Sequence, residues 1–145
     1  YEVPTQRLPR AEFVPAAGQG AIAVTAADPD VAETVRRALD HPRSRVAVTV
    51  ERTVLEELNG GCIAPIGVSA LVQGEYVKTT VRVLSTDGTE EVAETRDLRI
   101  DSHVQDAQAF AADLREEGAA ELVAAAREAA DATGAGTDGG TPDDE

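Results

Sequence analysis

The chain is poor in the side chains that most often do chemistry or fill cores. Its 145 residues include one cysteine, two histidines, two phenylalanines and two tyrosines, with no methionine and no tryptophan. A single thiol forms no internal disulfide and builds no zinc site unaided. His41 and His103 are isolated from each other and from Cys62 in the sequence, so both read as helix-boundary residues and no metal site is expected. With few aromatics, Val, Ala and Leu must fill the interior, and stability leans on many small contacts. No run approaches the ~20 consecutive apolar residues of a membrane span, and no basic-then-apolar signal peptide opens the chain. A reducing cytoplasm fits the unpaired thiol. The start at Tyr1, without Met, reads as a fragment or a processed chain.

Acid is what the chain has in excess. Twenty-seven Asp and Glu face 13 Lys and Arg, a formal net charge of -14, and Lys78 is the one lysine. Such a surface repels nucleic acid and anionic membrane, and neither is expected as a partner. The balance matches proteins that work in concentrated salt, where screening over a few Å removes most self-repulsion; a merely acidic mesophilic protein is the alternative.

Three prolines and no helical period make residues 1–19 an extended or loop segment. Ala21–Val24 reads as a short buried strand. Asp28-Pro29 is a helix start, and Val31, Val35 and Leu39 share one face of a helix ending before His41-Pro42. Residues 42–59 alternate like a strand at Val46, Val48 and Val50, yet their length, Pro42 and the stop at Asn59-Gly60-Gly61 predict a helix. Arg43 and Arg45 are expected to decorate its start. Residues 66–100 predict three antiparallel strands, broken at Gly74-Glu75 and Asp87-Gly88. Ser102 with Gln105 is expected to form a capping box for a helix that Gly118 ends, followed by an Ala-rich helix over 119–130. The expected class is α+β: a three-stranded antiparallel sheet with helices packed on one face. The expected division is 1–26 as the end of a preceding domain with its linker, 27–131 as the compact unit, and 132–145 as a disordered acidic tail.

Cys62 stands in Asn59-Gly60-Gly61-Cys62-Ile63-Ala64-Pro65-Ile66-Gly67. It is either a buried small hydrophobe or a placed nucleophile; two preceding glycines let backbone or ligand come close. Following a helix C-terminus, it gains no help toward a low pKa, which argues against a rapid-turnover nucleophile. Arg52 is either a solvated charge or a fork for carboxylates. Gly18-Gln19-Gly20 is at minimum a turn into the segment at Ala21.

Pro15-Ala16-Ala17-Gly18-Gln19-Gly20-Ala21, then Glu51-Arg52, then Gly60-Gly61-Cys62-Ile63-Ala64-Pro65-Ile66-Gly67, in this order and spacing, resemble the hydroxymethylbilane synthase family, also called porphobilinogen deaminase. The likeness covers roughly residues 12–130, the C-terminal part of that family. Thr25 departs from it where an acidic residue is common. The resemblance implies a transferase of porphyrin and heme biosynthesis that condenses four porphobilinogens, with loss of ammonia, into a linear tetrapyrrole. It implies a dipyrromethane cofactor in thioether linkage to Cys62, with Gly61, Arg52 and Gln19 beside it and the glycines giving room for a flat pyrrole. It places the acid–base aspartate and most of the arginine cluster in N-terminal domains. The implied partners are therefore porphobilinogen, the growing pyrrole chain and those domains. No catalytic residue beyond the anchor is expected here, and the chain is expected to be inactive alone. The alternative is a non-catalytic binding or assembly domain that keeps the fold.

Overall fold

The computed structural model describes residues 3–10, 12–60 and 63–134. The first helix, α1 (Pro29–Leu39), starts as expected, with the Asp28 carboxylate accepting from the N–H groups of Asp30 at 2.8 Å and Val31 at 3.3 Å. The second, α2 (Pro42–Glu57), has Pro42 in its first turn and His41 as its cap, Nδ1 accepting from the Ser44 N–H. It stops where Asn59 takes φ 55, a left-handed conformation that Asn tolerates better than most residues. Residues 42–57 are thus helical throughout, and the valine alternation places no strand there.

Strands β1 (Ile66–Gln73), β2 (Tyr76–Leu84) and β3 (Glu91–Arg99) form an antiparallel meander in that spatial order. Val68 sits opposite Val81, which sits opposite Glu94; Val72, Val77 and Leu98 form a parallel row on the same face. That face is covered by α2, α3 (His103–Leu114) and α4 (Ala120–Gly134), with Val50, Val54, Phe110 and Leu114 fully buried against the strand valines. Helices α3 and α4 meet at Gly118, whose φ of 111 admits no ordinary side chain and ends α3 as expected. The inward row of β3 carries Glu94 and Arg96. Phe110 caps the Arg96 guanidinium at 4.5 Å, and Asp113 takes one of its N–H groups at 2.5 Å, so this cation is held beneath α3.

Four expectations need correction. Ala21–Val24 is not a strand, and Ile22 is 90% exposed. A strand needs a partner edge, and the outward groups of β1 are taken: the Val68 N–H by the Pro15 carbonyl, the Ala70 N–H by Glu51, and the Val72 carbonyl by Arg43, each at 2.8 Å. Arg43 therefore docks α2 on the sheet rather than decorating a helix start. The Ser102–Gln105 capping box does not form, because the chain enters α3 through a 3-10 turn, Ile100–Ser102, that leaves Ser102 at φ -121, ψ 20 with no cap bond. Asp106 takes the Arg99 N–H at 3.0 Å, and His103 donates to the Ile100 carbonyl at 2.7 Å. Finally, α4 runs on to Gly134, three residues into the stretch expected as tail; residues 135–145 lie outside the described residues.

Candidate functional site

His41, Ser44, Arg45, Val48, Arg52 and Leu55 recur at three- and four-residue spacing, so one stripe of α2 carries them all. This stripe is one wall of a cleft of about 750 Å³; the segment 17–23 and the end of α1 at Leu39 and Asp40 supply the rest. The opposing wall is shaped by Gly18 and Gly20 at φ 72 and 84. Two successive turns result, the Gln19 N–H donating to the Ala16 carbonyl and the Ala21 N–H to the Gly18 carbonyl, each at 3.0 Å. Any side chain at either glycine would be strained.

The cleft holds two arginines with different commitments. Arg45 grips both oxygens of Asp40, at 3.0 and 3.3 Å, and this hydrogen bonding holds the Asp40 carboxyl below the usual carboxylate range. Both partners are exposed, so the pair adds little to stability. Arg52 is exposed as well, and among the described residues no carboxylate or carbonyl takes its guanidinium, even though Glu56 stands one turn further along α2. A guanidinium that no described residue engages, in a chain this acidic, is suited to donate paired N–H bonds to a ligand carboxylate.

Glu51, beside Arg52, does something the sequence did not disclose. One carboxylate oxygen accepts the Gly18 N–H and the other the Ala70 N–H, both at 2.8 Å. A signal was present: Glu51 borders the buried face made by Val50 and Val54, and Ala47 and Leu55 one turn away offer it no cation. Such a carboxylate is placed to serve backbone donors.

Gln19 does not share the cleft with Arg52. It lines a smaller pocket of about 230 Å³ with Phe13, Ala16, Glu51 and Ser69, and its Oε1 accepts the Ala16 N–H at 3.3 Å. Cys62 and Gly61 lie outside the described residues, but their neighbours are placed. The Ala64 N–H donates to the Gly60 carbonyl at 3.4 Å, and Arg127 of α4 donates to the Asn59 carbonyl, so both flanks of the loop are tied. Gly60 is buried, and a Cβ there would overlap Ile66 Cδ1. The room expected for a ligand at Gly60 is filled by Ile66. Ile63, the next described residue, is 49% exposed.

Among the described residues no helix is long and apolar enough to cross a membrane. Residues 46–120 match the family model described as porphobilinogen deaminase, C-terminal domain. The chain is 56% identical over 128 residues to a probable porphobilinogen deaminase of Halobacterium salinarum, covering 88% of this chain and 32% of that protein. It is 37% identical to a probable porphobilinogen deaminase of Methanococcoides burtonii, covering 85% of this chain and 40% of the relative. It is 32% identical to the porphobilinogen deaminase of Campylobacter hominis, covering 82% and 39%. The chain thus spans 32% to 40% of the length of these relatives. From the motif order, the α+β meander and these matches, the chain belongs to the porphobilinogen deaminase family and carries its C-terminal domain.

Proposed function

We propose that this chain is the part of a porphobilinogen deaminase that anchors a dipyrromethane through the Cys62 sulfur, and that the cleft along α2 receives the pyrrole chain growing from it. The observation carrying this reading is Arg52: a guanidinium with no partner among the described residues, on the wall of a 750 Å³ cleft along α2. The residues present fit the group. Two linked pyrroles bearing acid side chains need a slot of drug-ligand size, apolar contact for the rings and a cation for the carboxylates; the cleft offers Val48, Leu55 and Arg52. When bound, the cofactor supplies the pyrrole carbon to which the next unit is joined. The chain's own residues bind and orient. Arg52 holds carboxylates by paired N–H donation, and the thiol of Cys62 needs to react once only, which an ordinary thiol pKa allows. Gly61 belongs to this set through its place beside Cys62, and Gln19 joins it only by exchanging its bond to Ala16.

The acid–base carboxylate required for condensation is assigned to the part of the longer relatives that residues 1–145 do not match. Residues 1–145 alone are therefore inactive toward porphobilinogen. The apolar side chains left uncovered around Ile22, Val24 and Leu39 support a docking role toward that N-terminal part. The test is intact mass and peptide mapping of the whole protein. An adduct on the Cys62 peptide, absent in Cys62→Ala, is the expected result; a free, alkylatable Cys62 in the whole protein overturns the reading and favours a non-catalytic domain. Uroporphyrinogen formed by residues 1–145 alone overturns the inactivity.

A further inference from the structure

We propose that Glu51 is the positioning residue of the α2 cleft, setting the distance between the wall that carries Arg52 and the wall made by the Gly18–Ala21 turns. Its carboxylate bridges three separate pieces of chain. It is anchored on α2, one oxygen accepts the Gly18 N–H, and the other accepts the Ala70 N–H at the free edge of β1. The first bond ties the turn directly to the helix that bears Arg52. The second prevents the carboxylate from following the turn outward, because β1 is fixed by its pairing with β2. Nearby ties hold the chain before the turn, with the Val68 N–H on the Pro15 carbonyl and the backbone of Val14 lying against Gly67, but neither reaches Gly18 itself. Both Glu51 bonds are charge-assisted and partly buried, the class whose loss costs most.

A Gln at this position is isosteric but has one acceptor oxygen, so it serves one of the two N–H groups and turns an NH₂ toward the other. Glu51→Ala leaves both unpaired and puts folding itself at risk; Glu51→Gln is therefore the informative variant, with a single cooperative thermal transition as the check that the body is intact. Hydrogen exchange is measured on the whole protein, with Val81 of β2 as internal reference. The expected result is exchange at Gly18 or Ala70 accelerated by about tenfold or more, with Val81 unchanged. Unchanged exchange at both amides overturns the proposal.

The second arm rests on the function proposed above. In steady-state assays with porphobilinogen, Glu51→Gln raises KM by about fivefold or more with kcat held within about twofold, since the cleft loses its fit while no reacting group is removed. Accelerated exchange with KM unchanged means that Glu51 is structural only and overturns the positioning role. A wild-type protein with no activity and no adduct overturns the functional reading while leaving the exchange result to stand by itself.

Discussion

Helices α1 and α2 lie next to each other in sequence, and a proline start helps predict both, yet they have opposite fates. In α2, Val50 and Val54 are fully buried beneath the sheet; in α1 no residue is buried, and Val31 and Leu39 remain 51% and 61% exposed. The apolar stripe is in fact the sharper one in α1. A stripe states that a helix wants a partner, and only the surroundings decide whether one is supplied. The body over residues 42–134 closes on itself, whereas α1 and the segment before it display a face that the other described residues leave uncovered.

The sharpest test of this contrast is a deletion in the closed body. Phe110→Ala empties a site under α3 and removes the ring over Arg96, and should cost about 3–5 kcal/mol by urea unfolding. Next comes crowding at the junction of α2 and β1. Gly60→Ala should cost about 1–3 kcal/mol, and adding Ile66→Val, which removes the overlapping Cδ1, should restore part of it. On the open side, Leu39→Ala should change the stability of residues 1–145 by less than about 0.5 kcal/mol. In the whole protein a clearly larger loss would mean that the stripe is covered there, and an equally small one would break the comparison.

The smallest effect is local. The Asp87 carboxylate accepts from the Ser85 hydroxyl and from the Thr89 N–H and hydroxyl, which lowers its pKa from 3.8 to about 2. Because the folded value is the lower one, this support for the β2–β3 turn is complete above pH about 4 and fades as pH falls toward 2. The Thr89 amide shift should titrate with its midpoint near pH 2, and Asp87→Asn should abolish the transition.

Much of the body was legible because it is governed by local rules. Pro42, Asn59, Gly88 and Gly118 mark boundaries through backbone geometry, and the alternation of Val77, Thr79, Val81 and Val83 marks a buried face. What failed depended on a distant partner or on the geometry of an adjoining turn. Ala21–Val24 has strand composition, but the edge it might have joined is occupied by Pro15, Glu51 and Arg43. Ser102 has a capping residue's identity, but the tight turn before α3 denies it the geometry. At the site, the motif order pointed to Arg52, while the bridge made by Glu51 required knowing that residues 18, 51 and 70 converge.

The two margins of the sheet protect themselves by different means. Along β3 the outward-facing row includes Glu91, Asp97 and Arg99, so a second copy approaching there meets charge. Along β1 no such repulsion is needed, since the outward N–H groups of Val68 and Ala70 and the carbonyl of Val72 are already satisfied from within the chain. Self-association through β1 must therefore wait until Pro15, Glu51 and Arg43 let go of that edge, which makes the colloidal behaviour of the protein a reporter of the same carboxylate that shapes its cleft.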